Sequence, residues 1–321
     1  MPETKKQFEG ARCLVTGGAG FIGSNLVKAL VKLGAVVTVI DDLSTGKLKN
    51  LPASGVRLIT GNIVAESRLV ELAADADFIF HLAARVGNIK SLKQPVSDAS
   101  TNIIGTIRLL EAARHSSVKR VVYSSSSAIF GEAQRLPIDE DHPHQPASFY
   151  ALSKLTAEKY CLLAASMWNL PIVCLRYFNV FGHPSDDSDY SGVISIFFRR
   201  AIEGRSLLIY GDGEQSRDFV FVDDVVQAIL CAAMRGASGE TYNIGTGRAT
   251  SIIDLARAIF DTTNTCVALQ TEKERRGEVR HSVADISKAR RELEFAPQYD
   301  LETGLAEYWN SMKLVRFDAA V

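Results

Sequence analysis

Short apolar runs that end in glycine, acid or serine recur through the first half of the chain. CLVTGG (13–18), AVVTVIDD (35–42), VRLIT (56–60), DFIFHLAA (77–84) and RVVYSS (120–125) each give a few apolar residues, then small or polar ones. Near-continuous apolar strands of this kind are buried on both faces, which predicts a parallel sheet covered by helices. Helical spacing lies between them. In NLVKALVKLG, Leu26, Leu30 and Leu33 share one face and Gly34 supplies the stop. The pattern predicts an α/β chain with a doubly wound parallel sheet, in which ligands sit at the carboxyl ends of the strands.

Beyond about residue 180 the alternation loosens. GHPSDDSDYSG (182–192) and YGDGEQSRD (210–218) are polar and turn-prone, and two further helical patterns follow, VDDVVQAILCAAM and SIIDLARAIF. A basic stretch, EKERRGEVRHS, comes next (272–282). The expected division is 1–180 for the sheet domain and 181–321 mainly for a smaller C-terminal α/β domain. The chain is expected to return to the sheet at about 219–245.

Composition narrows the function classes. The 321 residues are 46% hydrophobic and 23% charged, with a formal net charge of -1, so no basic excess points to nucleic acid or an acidic membrane surface. Five scattered cysteines without a CxxC pair read as reduced thiols rather than a disulfide frame or a metal site. The polar start, MPETKKQFEGARC, lacks the apolar core of a signal peptide. No apolar run approaches the ~18 residues of a membrane span. A cytoplasmic protein without metal, membrane or nucleic-acid partner is expected.

VTGGAGFIGSN carries Gly17, Gly18, Gly20 and Gly23, satisfying both GxxGxxG and GxGxxG. Such glycines permit a tight strand-to-helix turn, let backbone approach a pyrophosphate and bring helix close to strand. The motif follows the first strand, opens a helix, and is followed by Asp41, 18 residues after Gly23 at the end of the second strand. A carboxylate there binds a ribose 2′-hydroxyl and repels a 2′-phosphate, so a Rossmann-type site for NAD rather than NADP is expected. Asp42 beside it either shares that role or holds the turn.

Two further features carry chemistry. SFYALSK opens a helical stretch in which Tyr150 and Lys154, four apart, share one face. A phenol near pKa 10 is a poor base at neutral pH. A lysine ammonium a few ångströms away, together with a positive nicotinamide ring, favours the phenolate. Upstream, VVYSSSSAIFG ends an apolar run in four serines, Ser124 to Ser127, and closes on Gly131.

Together these residues resemble the extended short-chain dehydrogenase/reductase family, and within it the NAD-dependent nucleotide-sugar epimerases. The resemblance spans about residues 11–310, through TGGAGFIGSNLV, DDLSTG, HLAA, TNIIGTIRLLEAAR, SSSSAIFG, YALSKLTAEKY, RYFNVFG, YGDGEQSRDFVFVDDV and RHSVADISKA. It implies that Tyr150 takes the sugar 4-hydroxyl proton while hydride passes from C4 to tightly bound NAD and returns to the other face. It assigns catalysis to Ser126, Tyr150 and Lys154, Ser126 being the hydroxyl five residues before Gly131. Ser124 and Ser125 become strand-end neighbours, while Ser127 either touches the sugar or does not. Related dehydratases and decarboxylases place a glutamate at 128, and Ala128 there cannot move a proton. For NAD the resemblance implies Gly17, Gly20, Phe21, Ile22, Gly23, Asp41, Asp42, Asn62, Ile63, Leu82, Ala83, Ala84, Asn102, Tyr150, Lys154 and Tyr177.

For the UDP-sugar it implies Arg85, Ser126, Ser127, Asn179, Val193, Tyr210, Arg217, Arg275, Glu278 and Ser282. Tyr210 matches an aromatic position on uracil, Arg217 and Arg275 match phosphate-binding arginines (with Arg276 able to replace Arg275), and Glu278 matches a ribose acceptor. Forked guanidinium donors suit a diphosphate. Ser282 matches the residue against the sugar C2 substituent, where a small side chain admits an N-acetyl group. UDP-N-acetylglucosamine 4-epimerisation is therefore the expectation, with UDP-glucose or UDP-glucuronate as alternatives and a non-catalytic NAD sensor as a remote one. Departures at Arg85–Gly87 and His183–Ser185 leave the sugar open, and Arg85 suits an acidic one. The helices around TNIIGTIRLLEAARH and YALSKLTAEKYCLLAA imply a homodimer through a four-helix bundle, with Ile104, Ile107, Leu162 and Leu163 as its apolar residues.

Overall fold

A computed structural model describes residues 2–183, 192–274 and 279–318. Strands β1 (Arg12–Thr16), β2 (Val36–Asp41), β3 (Val56–Thr60), β4 (Phe78–His81), β5 (Arg120–Ser126) and β6 (Ile172–Tyr177) come from the predicted apolar runs and from IVCLRY. Then come β7 (Asn179–Phe181), β8 (Leu207–Tyr210), β9 (Ser216–Arg217) and β10 (Phe219–Phe221). The chain closes its strands with β11 (Glu240–Ile244), β12 (Thr250–Ser251), β13 (Leu269–Glu272) and β14 (His281–Ser282).

Seven of these form one sheet in the order β11-β6-β5-β4-β1-β2-β3. Every pairing in it is parallel. The order reverses between β1 and β4, and the crevice at such a reversal is where open α/β sheets take ligands.

Alternate residues of each strand feed opposite cores. Cys13 and Val15 join Val37, Val39, Leu26 and Leu30 on one side, against the helices Phe21–Lys32 and Val222–Arg235. Leu14 and Ile40 join Ile79, Leu109, Leu110 and Cys161 on the other, against the helices Gly105–Ala113 and Phe149–Trp168. Leu26, Val27 and Leu30 are fully buried, each contributing roughly 1.5–3 kcal/mol of transfer free energy. Helix Phe21–Lys32 ends at Leu33, and Gly34 follows with φ +85°. A separate core gathers Phe181, Phe197, Phe198, Ile209, Leu255 and Leu305. The remaining strands form the three-stranded sheet β12-β9-β14 and the pairs β10-β7 and β13-β8.

The segment TNIIGTIRLLEAAR is not one regular helix. Ser100–Ile104 forms a π-helical turn before the α-helix Gly105–Ala113, a widening that recurs at functional sites. Among the described residues no helix is long and apolar enough to cross a membrane, and no cluster of three metal-ligating side chains occurs.

Candidate functional site

The glycine turn closes the gap between β1 and β4. Gly17 has φ +72°, and a Cβ on it would stand 2.6 Å from the Ala83 amide nitrogen and 2.7 Å from the Leu82 carbonyl carbon. A Cβ on Gly23 would stand 2.2 Å from the Gly17 carbonyl oxygen. Only bare backbone fits either place. Gly20 is the N-cap of helix Phe21–Lys32, whose first-turn N–H groups, at Phe21, Ile22 and Gly23, lack intrahelical acceptors and suit an anion.

Asp41 ends β2 almost buried, its carboxylate accepting from the Ala19 N–H at 2.9 Å and the Leu43 N–H at 2.8 Å. Burial pushes its pKa up, and those two backbone bonds oppose the rise. Asp42 accepts from the Ser44 N–H at 2.9 Å and from Asn62 Nδ2 at 3.1 Å. Ile63 is buried beside them. Asn62 also lines a cavity of about 540 Å³ with Arg85, Lys93, Ser100 and Thr101. The bare-backbone turn and the carboxylate at the end of β2 fit a dinucleotide.

A histidine that sequence reading passed over ties these parts together. His81 ends β4 with its Nδ1 2.7 Å from Thr16 Oγ1 and its Nε2 2.9 Å from Thr106 Oγ1. The Thr106 hydroxyl donates to the Asn102 carbonyl at 2.7 Å, so it accepts from His81 Nε2–H. His81 Nδ1 then accepts from Thr16, which itself accepts from the Ala83 N–H at 3.2 Å. Burial drives the imidazole pKa down to about 3, with the Lys154 charge adding to the fall, so the ring stays neutral. Asn102 continues the chain, accepting from the Arg85 N–H at 2.8 Å and donating to Ser153 Oγ at 2.9 Å. The available signal was a histidine inside an otherwise wholly apolar strand.

The serine run divides by depth. The Ser124 hydroxyl lies 3.0 Å from the Tyr177 hydroxyl, and the Ser125 hydroxyl donates to Glu158 Oε2 at 2.6 Å. Glu158 is paired with Arg176 at 2.8 Å, both side chains almost wholly buried. Tyr177 is thus a core residue, its phenol pushed up by burial. Ser126 Oγ accepts from the Ala128 N–H at 3.2 Å and interacts with the Tyr150 phenol. Ser127 opens the 3-10 turn Ser127–Phe130, after which Gly131 takes φ +64°.

Tyr150 stands in the first turn of helix Phe149–Trp168, whose N-cap Ser148 accepts from the Ala151 N–H at 3.1 Å. Lys154, one turn on, is buried, donates to the Ser124 carbonyl and sits 4.5 Å above the Tyr123 ring. Burial lowers its pKa to about 8. The Tyr150 pKa is raised, by burial first and then by the Asp98 charge, while Ser126 opposes. The phenol thus starts above its ordinary value, with the lysine charge held at the Ser124 carbonyl.

Three of the expected substrate residues, Asn179, Arg217 and Ser282, adjoin another buried carboxylate, Asp218. Asp218, 0% exposed, accepts from the N–H groups of Thr246 (2.7 Å), Gly247 (2.9 Å) and Ala284 (3.2 Å). Its own backbone joins the neighbours: its carbonyl accepts from the Asn179 N–H, and its N–H donates to the Ser282 carbonyl, each at 2.9 Å. Arg217 and Ser282 are register partners in β9 and β14, and Arg217 Nη1 donates to the Ser216 carbonyl at 2.8 Å. Tyr210 ends β8 and Val193 opens helix Val193–Ile202, both half-buried. Arg275, Arg276, Glu278, Pro184 and Ser185 lie outside the described residues.

Residues 13–245 match the model of the "NAD dependent epimerase/dehydratase family". The UDP-glucose 4-epimerase of Mycolicibacterium smegmatis is 38% identical over 303 residues, covering 92% of this chain and 96% of its own. A UDP-N-acetylglucosamine 4-epimerase of Methanobrevibacter ruminantium, solved with UDP-N-acetylmuramic acid, superposes with TM-score 0.92 at 35% identity, covering 96% of this chain and 99% of that one. The UDP-glucose 4-epimerase of Thermotoga maritima, solved with UDP-glucose, gives TM-score 0.91 at 37% identity, with 95% and 99% covered.

Proposed function

Since this chain belongs to the NAD dependent epimerase/dehydratase family, we propose that it is a UDP-sugar 4-epimerase acting on UDP-N-acetylglucosamine. The observation that carries the reading is the set at the carboxyl end of β5. Ser126 faces Tyr150, Lys154 is buried one turn on, and Ala128 stands where removing a C5 proton would need a carboxylate.

NAD, when bound, supplies the acceptor and donor of hydride at sugar C4. Gly17, Gly20 and Gly23 give its pyrophosphate bare backbone and the helix N-terminus, and Asp41 takes the ribose hydroxyls. Ser126 donates a hydrogen bond to the sugar O4, and Tyr150 removes that hydroxyl's proton and later returns it. Lys154, buried one turn on at the Ser124 carbonyl, would lower the cost of ionising the phenol by bringing its positive charge toward it. Arg217 neutralises diphosphate, Asn179 holds its edge, and Tyr210 packs on uracil.

The preference for the N-acetylated sugar rests on Ser282. It is small, half-buried and in register with Arg217, and at the position that the family resemblance puts against the sugar C2 such a side chain would leave room for an acetamido group. UDP-glucose is the second reading, supported by the names of the Mycolicibacterium and Thermotoga relatives. UDP-glucuronate is the weaker one, because Arg85 lines the cavity with Asn62 rather than the Ser282 side.

The helices 100–113 and 149–168 are proposed to pair with their copies in a homodimer. Leu152, Tyr160, Leu163 and Met167 form an exposed stripe on the second, and Ile104 is exposed on the first. Proton NMR of the purified protein with UDP-N-acetylglucosamine, without added NAD and in parallel with UDP-glucose, tests the activity. Galacto-configured N-acetyl product is expected to appear first. Turnover of UDP-glucose alone would move the substrate assignment, and turnover of neither sugar would reject it.

A further inference from the structure

Asp98 lies on the short helix Pro95–Ala99 that runs into the π-helical turn, and it is 3% exposed. Its Oδ1 accepts from Asn102 Nδ2 at 3.2 Å. The same Nδ2 is 2.9 Å from Ser153 Oγ, and the Ser153 hydroxyl donates to the Tyr150 carbonyl at 3.0 Å. With that proton engaged, Ser153 is linked to the Asp98 carboxylate through Asn102 Nδ2. Asp98 Oδ2, by contrast, is buried with no hydrogen-bond partner among the described residues.

An unpartnered oxygen on a buried carboxylate is costly. The hydrogen bond from Asn102 does not require that cost, because an asparagine oxygen accepts equally well. What the position adds is charge. The charged groups that act on Asp98 most strongly belong to the site: Lys154 on one helix and Arg85 on the segment after β4. Tyr150 feels its charge in turn.

We propose that Asp98 is a positioning residue for the Tyr150–Lys154 pair. Its carboxylate anchors Asn102, and through it Ser153, against the first turn of the Tyr150 helix and sets a negative charge behind phenol and ammonium. The proposal rests on the epimerase reading for its consequence in turnover, though not for its effect on the phenol. A negative charge there opposes ionisation of Tyr150 and favours protonated Lys154, so removing it carries both groups to lower pH. Asp98 itself is pushed up by burial, with Ser153, Lys154, Asn102 and Arg85 pulling it back.

The test is Asp98→Asn in the NAD-loaded protein, read in two ways. Ultraviolet difference titration against Tyr150→Phe follows the phenol directly. In Asp98→Asn its midpoint is expected to fall by about half a pH unit or more. The pH profile of UDP-sugar turnover is expected to slide, both limbs moving down, whereas a merely structural role would change its height alone. Asp98→Glu restores the position of the limbs, and Asp98→Ser, a second neutral variant, repeats the displacement if the asparagine variant fails to fold. An unchanged phenol midpoint in a folded neutral variant overturns the proposal. If the wild type turns over no UDP-sugar, the activity reading fails while the titration still decides the role of Asp98.

Discussion

Thr16 Oγ1 stands 2.7 Å from His81 Nδ1 across the neighbouring strands β1 and β4. This contact joins the two strand ends that frame the glycine turn, while the Thr106 hydroxyl, donating to the Asn102 carbonyl, fixes the imidazole tautomer. The burial of His81 also couples stability to pH. His81 is held at about 3 in the folded protein against its ordinary 6.5, so between those values the unfolded chain binds a proton that the native one does not. Stability is full above about 6.5 and is lost as pH falls toward 3, with a slope of up to about 1.4 kcal/mol per pH unit. Urea unfolding between about pH 7.5 and 5 checks this. His81→Asn, which carries no proton, is expected to flatten the slope, and an equal slope in that variant counts against His81.

Gly23→Ala places its Cβ 2.2 Å from the Gly17 carbonyl oxygen. Backbone cannot move aside as a side chain can, and overpacking of this kind costs about 1–3 kcal/mol. The variant is expected to purify with little or no NAD, measured by absorbance of the acid supernatant. NAD content equal to wild type would show that the turn relaxes freely.

Glu158→Gln removes one charge from a pair whose side chains are 0% and 3% exposed. A buried partner left uncompensated costs about 3–5 kcal/mol. Glu158 also receives the Ser125 hydroxyl next to Ser126, so turnover is expected to fall with stability. The double variant Glu158→Leu with Arg176→Met is expected to recover much of the stability. If the single variant keeps the wild-type denaturation midpoint, the pair contributes no net stability.

Ser282→Tyr fills the space beside Arg217. Turnover of the N-acetylated sugar nucleotide is expected to fall by about tenfold or more relative to UDP-glucose. Competition assays with both sugars give the ratio directly, and an unchanged ratio moves the specificity wall elsewhere.

Leu163→Asp puts charge into the exposed apolar stripe of helix Phe149–Trp168. Sedimentation velocity is expected to show a dimer for wild type and a monomer for the variant. A monomeric wild type would remove the dimer from the proposal.

Local pattern was enough for much of this protein. Apolar runs ending in small residues marked β1 to β5, because a strand buried on both faces needs no partner's identity to be recognised, though the edge strand β3 buries only Ile59. The glycines of VTGGAGFIGSN and the Tyr150–Lys154 spacing were equally legible, since turn geometry and helix period are properties of neighbouring residues. The serine run was legible only in part. Its position at a strand end showed in the sequence, but Ser124 and Ser125 turn to Tyr177 and Glu158, which lie 53 and 33 residues away.

Tertiary structure alone decided the polar interior. His81 meets Thr16 65 residues distant, and Asp218 collects donors from Thr246 to Ala284. Asp98 reads in sequence as one more acid on a short helix, and Arg85 as a charge free to face the sugar. Asn102 on the π-helical turn, packed against the helix that carries Ser153, set their surroundings. Periodicity fixes which face of an element is apolar, but it carries no information about which strand ends become neighbours. A buried polar group is held only when donors from such neighbours converge on it.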